Sequence, residues 1–158
     1  MLDESSLLDL RALLRASSVA SLATLHDGAP AVSFTPWAPA ADGASLLVHV
    51  SGLAQHTRDM LADSRVAVMI AEPESSGTLA QALPRVMIQG ITREIDRSSP
   101  DYESAKSAYL ARHRRSEMTF GLGDFSIFAI EPRSARYVAG FGRAFDVENG
   151  ELAQALKD

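Results

Sequence analysis

VASLATLHDGAPAVSFTPW, residues 19–37, decides how the rest of the chain is read. Val19 to Leu25 is too short and too β-branched at its start to be a helix. Asp27-Gly28, after His26, supplies a turn because glycine accepts a positive φ. Ala31 to Trp37 then resumes an extended pattern, so the stretch predicts a β-hairpin.

Upstream, Leu7, Leu10 and Leu14 recur at i, i+3 and i+7 behind an acidic start, which predicts an amphipathic helix over 5–15. Downstream, a second Asp-Gly turn at Asp42-Gly43 leads into SLLVHVS (Ser45 to Ser51), and neighbours in sequence tend to be neighbours in space, so a three-strand meander is expected. LAQHTRDMLAD reads as a helix with Leu53, Thr57, Met60 and Leu61 on one face. RVAVMIAE (Arg65 to Glu72) reads as a buried strand, Pro73 to Pro84 as a loop, and PRVMIQGITREID as a long strand with Gly90 at a bulge or close approach. Ser99-Pro100 is a helix start, with the helix running to about His113. DFSIFAIE and SARYVAGF read as two strands that meet near Pro132-Arg133. GFGRA (Gly140 to Ala144) closes the last strand, and ELAQALKD forms one frayed turn.

Strands that do not alternate with helices exclude a βαβ architecture. The pattern predicts an α+β protein: an antiparallel six- to seven-stranded barrel with short peripheral helices. One domain over 1–158 accommodates it, with the barrel over about 18–144 and a short tail over 145–158.

The chain has 158 residues, 46% of them hydrophobic, which suffices for a real core. A formal net charge of -5 argues against general nucleic-acid binding, which needs a basic surface. The absence of cysteine excludes disulfides, thiolate nucleophiles and Cys-ligated metals. The acidic opening carries no export signal, and no apolar run approaches the roughly 20 residues that span a bilayer. A cytoplasmic protein with no membrane partner is expected.

No phosphate loop, GxSxG elbow or HExxH is present, so no catalytic residue is assigned. The four histidines (His26, His49, His56, His113) form no i, i+4 pair, so no metal site is expected. The stretch richest in chemistry is VHVSGLAQHTRDML. Ser51 ends a strand, and His56, Thr57 and Arg58 open a helix whose N–H groups, hydroxyl and charge could converge on a phosphate. The same residues also fit a plain role, with Ser51 capping the helix and Arg58 pairing with Asp59 or Asp63. Ser33 and Thr35 share a strand face opposite Val32 and Phe34, and Arg85, Met87 and Gln89 share another; such rows are commonly the solvent side of a barrel. Arg85 stands out because it sits at a rim.

ASLATLHDGAPAVSFTPW, SGLAQHTRDMLADSRVAVMI, PRVMIQG, DFSIFAIEP and VAGFGRA, in that order from about Ala12 to Ala144, resemble the pyridoxamine 5'-phosphate oxidase-like split-barrel family. Within it they are most similar to the haem-utilisation branch. The resemblance implies a homodimer with a small-molecule cofactor at the dimer interface. In flavin-binding members a Ser/Thr-Arg/Lys cluster after the third strand holds the FMN phosphate, which corresponds here to His56, Thr57 and Arg58. The strand opened by Pro84-Arg85 matches one that sends a long polar side chain towards the flavin, and Ser33 and Thr35 lie on the strand lining its ring and ribityl chain.

Departures from the family pattern narrow the expectation. No Arg-x-His substrate element follows the last strand, so oxidation of pyridoxamine phosphate is not expected. Haem-degrading members use an axial histidine in a C-terminal extension, whereas the last histidine here is His113. The leading expectation is therefore an FMN-binding oxidoreductase-like protein. The alternatives are a haem-binding or haem-degrading protein, with His49 or His56 as an unexpected ligand, and a split barrel without cofactor that acts as a binding module.

Overall fold

The hairpin forms as its alternation dictates. In the computed structural model, which describes residues 1–75 and 77–157, β1 (Val19–His26) pairs antiparallel with β2 (Ala29–Pro36), His26 opposite Ala29. Asp27 and Gly28 between them both take positive φ, 49° and 80°, the two-residue turn whose twist matches that of the strands.

The meander stops there. The remaining strands are β3 (Ala38–Pro39), β4 (Leu46–Ser51), β5 (Arg65–Ala71), β6 (Arg85–Ile95), β7 (Phe125–Gly140) and β8 (Arg143–Val147). They join one antiparallel sheet in the order β2-β1-β5-β6-β7-β4-β3, with β8 on β7. β4 thus pairs with β7, Leu46 opposite Ile130 and Ser51 opposite Phe125, and not with β2. The reason is burial on both faces. Leu46, Val48 and Val50 enter the barrel core with Leu22, Val68 and Ile88. Leu47 enters a second core with Ile127, Tyr102 and Tyr109 beneath α3 (Tyr102–Arg112). Beside the edge strand β2, with its exposed outer face, β4 would lack that second cover.

β7 is a single strand of 16 residues where two were expected. It runs through Pro132 because β7 itself bulges there: Gln89 faces Ser134 and Gly90 faces Pro132, which leaves Arg133 as the extra residue. A proline is tolerated in a ladder at such a bulge. A Cβ at Gly90 would lie 2.7 Å from the Glu131 carbonyl oxygen, so the missing side chain is what lets the strands approach. The first half of β7 pairs with β4 and the second with β8, which splits the barrel.

The expected helix over 5–15 is α1 (Glu4–Ala16), capped by Asp3, whose carboxylate accepts from the Ser6 N–H at 2.7 Å. α3 starts at Tyr102, later than Ser99-Pro100 implies, and the Ser99 hydroxyl accepts from the Asp101 N–H. A short α4 (Glu117–Phe120) follows. GFGRA does not end the last strand: Phe141-Gly142 turns the chain into β8. The tail is not a frayed turn either. α5 (Asn149–Leu156) is closed by a capping box of Glu148 and Glu151 and buries Leu152, Ala155 and Leu156 against the core shared with α1. The expected loop over 73–84 contains a 3-10 turn at Ala80–Ala82; its Ser76 lies outside the described residues, as does Asp158 at the end of the tail. Among the described residues no helix is long and apolar enough to cross a membrane.

Candidate functional site

The helix expected after Ser51 is α2 (Gln55–Ala62), and it lies across β1 and β2. It buries Thr57, Asp59 and Met60, while Leu53 and Leu61 remain 79% and 62% exposed, so Thr57 and Met60 of the expected face pack and its two leucines do not. A carboxylate takes the inner position because it has partners there. Thr24 Oγ1 donates to Asp59 Oδ2 at 2.9 Å, and His26 Nδ1 donates to Asp59 Oδ1 at 2.7 Å. Thr24 and His26 share one face of β1 by strand alternation.

This dyad has defined electrostatics. The hydrogen bond to Asp59 raises the His26 pKa above its ordinary value, helped by the charges of Asp59 and Asp27 and opposed by desolvation and Arg58. The hydrogen bond from His26 holds the Asp59 carboxyl below the usual range. With Nδ1 fixed as the donor, neutral His26 carries its lone pair on Nε2. That nitrogen belongs to a half-exposed side chain and lies 3.7 Å from Asp27 Oδ2, beyond hydrogen-bond reach.

The phosphate cradle expected at the start of α2 is only partly assembled. Ser51 Oγ donates to Asp124 Oδ2 at 2.6 Å and accepts from the Leu53 N–H, so a carboxylate stands where an anion would approach. Thr57 is buried, and its hydroxyl donates to the Ser51 carbonyl at 2.7 Å. Ala54 at the N-cap offers no side-chain cap, which leaves the first N–H groups of α2 available. Arg58 is exposed and pairs with neither Asp59 nor Asp63, since Asp63 binds Arg65 at 2.6 Å. His56 is half-buried, and desolvation lowers its pKa.

The other expected residues lie apart. Ser33 and Thr35 do share a face of β2, but it is the inner one: Thr35 is buried, whereas Val32 and Phe34 on the outer face are 73% and 72% exposed. The row of hydroxyls is therefore not the solvent side. Arg85 Nη1 donates to the carbonyls of Leu83 and Gln81, closing the turn before β6. It stands six residues, about 20 Å, along β6 from Ile91, which pairs with Arg65 just beyond α2. Within one chain it does not join the α2 group.

His49 is enclosed, stacked on Phe120 with ring centroids 3.7 Å apart and flanked by Tyr109 and Phe125. Desolvation lowers its pKa to about 4, and its Nε2 has no hydrogen-bond partner among the described residues. His113 Nε2 meets the Trp37 carbonyl oxygen at 2.8 Å. The residues that sequence reasoning missed are His26, Asp59 and Thr24. The i, i+2 spacing of Thr24 and His26 signalled a shared face, but nothing local signalled that Asp59 would point at it.

Comparison with known proteins places these features. The pyridoxamine 5'-phosphate oxidase family model matches residues 9–139. The chloroplastic heme oxygenase HOZ of Arabidopsis thaliana is 35% identical over 150 residues, covering 92% of this chain and 44% of that protein. The heme oxygenase HutZ of Vibrio cholerae is 27% identical over 135 residues, covering 83% of this chain and 74% of that protein. The chain thus spans less than half of the plant relative. A heme-binding protein from Mycobacterium smegmatis superposes with a TM-score of 0.83 over 98% of this chain and 62% of that one; at 24% identity it speaks for the fold alone.

Proposed function

Because the chain belongs to the pyridoxamine 5'-phosphate oxidase family of split barrels, we propose that it turns this fold to binding haem, as a substrate for degradation, with His26 as the ligand to iron. The observation that carries the reading is the His26–Asp59 contact. An iron-ligating imidazole needs an open Nε2 and an Nδ1–H held by an acceptor, and His26 has both. His49 and His113 do not fit: the first is walled in by aromatic rings and the second is engaged with Trp37. The names of the two curated relatives support the choice of haem.

Bound haem supplies a redox-active iron able to handle oxygen. The chain's residues do the rest. Asp59 accepts the hydrogen bond from Nδ1–H and keeps the Nε2 lone pair aimed outward. Arg58, close enough to His26 to affect its charge, offers a positive charge to a propionate. A second copy of the chain completes the binding slot by covering the outer face of β2, where Val32 and Phe34 lie bare beside an edge strand.

Flavin binding draws on the same helix start but needs the hydroxyls of Ser51 and Thr57, which are already engaged. A haemin titration separates the two readings. Haem binding gives a saturable Soret band and a ligand signature lost in His26→Ala but retained in His56→Ala. A wild-type protein that leaves the haemin spectrum unchanged, while FMN raises its melting temperature, overturns the haem reading in favour of flavin.

A further inference from the structure

A cavity of about 460 Å³ opens between α1 and the end of the sheet remote from His26, where β5 and β7 finish. Asp9, Ala12, Leu13 and Ala16 line one side at i, i+3, i+4 and i+7, one face of α1. Glu72 and Tyr137 line the other. Glu72 is held in place by its N–H, which donates to the Pro84 carbonyl at 2.9 Å.

Tyr137 is the informative member. Its side chain is 1% exposed and packs on Phe145, yet its hydroxyl has no hydrogen-bond partner among the described residues. The hydroxyl is not sealed from solvent, so on a residue lining the cavity it is placed to meet a polar group that enters there. Burial and the charges of Asp9 and Glu72 raise its pKa, which keeps it a neutral hydroxyl. Neither Asp9 nor Glu72 forms an ion pair among the described residues. Arg143 opposes the rise at Tyr137, but its guanidinium is engaged, donating to Ser6 Oγ at 3.0 Å and lying over the Phe145 ring. Glu72 and Tyr137 therefore face a wall of small apolar side chains that ends in Asp9, in a volume within the usual range for small-molecule sites.

We propose that this cavity binds a small organic cation, a primary ammonium on a short apolar or aromatic body. The ammonium sits between Asp9 and Glu72, the Tyr137 hydroxyl meets a polar atom of the ligand, and the body lies along Ala12, Leu13 and Ala16. This site is independent of the haem reading.

The test is calorimetric titration of the full chain with tyramine, with N-acetyltyramine and 4-hydroxyphenylacetate as neutral and anionic counterparts. Tyramine alone saturates. Asp9→Asn and Glu72→Gln, both at exposed positions that leave the fold intact, each weaken it about tenfold or more, as loss of a charge-assisted hydrogen bond requires. Tyr137→Phe weakens it severalfold, and haemin binding by all three variants stays as in the wild type. The proposal is overturned if tyramine shows no saturable binding into the millimolar range, if the anion binds equally well, or if the Asp9→Asn/Glu72→Gln double variant binds tyramine unchanged.

Discussion

His26 Nδ1 stands 2.7 Å from Asp59 Oδ1, and this contact ties the turn of the first hairpin to the helix that follows β4. It joins residues 33 apart in sequence and leaves the opposite ring nitrogen facing outward. Thr24 adds a second donor to the buried carboxylate, at 2.9 Å from Oδ2.

His26→Ala destabilises the protein more at pH 5.5 than at pH 8.5. The folded-state pKa of His26 is raised, so its charged pairing with Asp59 is fully present below the ordinary histidine value near 6.5 and lost as pH rises through the folded value. The Asp59 pKa is lowered, so its share persists down to the carboxylate range and fails only as pH falls below it. Urea unfolding of both proteins at the two pH values reads the difference; equal losses at both would show that the pair carries no charge-dependent stability.

His49 works in the opposite sense. It is held neutral down to about pH 4, so the unfolded chain takes up a proton below pH 6.5 that the folded chain refuses. Stability therefore falls between pH 6.5 and pH 4, by on the order of 2 kcal/mol once solvent screening is allowed for. His49→Phe keeps the stack on Phe120 and removes that loss, so the variant gains on the wild type as pH drops.

Phe34→Glu leaves the fold intact, because the side chain is exposed, but breaks the self-association proposed for the outer face of β2. Sedimentation velocity then shows a dimer for the wild type and a monomer for the variant. A monomeric wild type would remove the second copy from the proposed haem slot.

Gly90→Ala costs about 1–3 kcal/mol, the usual range for overpacking. Its Cβ meets the Glu131 carbonyl oxygen and Ile130 Cγ2 at 2.7 and 2.9 Å, and backbone cannot swing aside as a side chain can. Thermal unfolding measures the loss, and crowding is refuted if the melting temperature is unchanged.

Leu152→Ala costs about 2–5 kcal/mol, as for other core leucines. Leu152 is buried against the core that α1 shares, although a frayed tail would predict no effect at this position.

Much of the local structure was legible. Alternation in β1 and β2, the Asp27-Gly28 turn and the close approach at Gly90 are properties of a few adjacent residues, and all three formed as read. The site was legible only in pieces. Ser51 and Thr57 were found at the head of α2, but their hydroxyls turned to Asp124 and to a carbonyl that lie next to them only after folding. His26 was visible as one histidine among four, with nothing local to mark it as the one that Asp59 orients.

By itself, the sequence determined that β1, β2, β4, β5 and β6 are extended and that α1, α2 and α3 are helical, since backbone preference and side-chain periodicity act over a few residues. It also determined that β2 has a polar and an apolar face. Which face turns inward, which strand accepts β4, whether β7 continues past Pro132 and where Arg85 lies relative to α2 were decided by the tertiary structure. Period-two alternation defines two faces without saying which is inside. Pairing depends on which distant surfaces can cover both sides of a strand, and beside β7 the two faces of β4 meet the barrel core and α3.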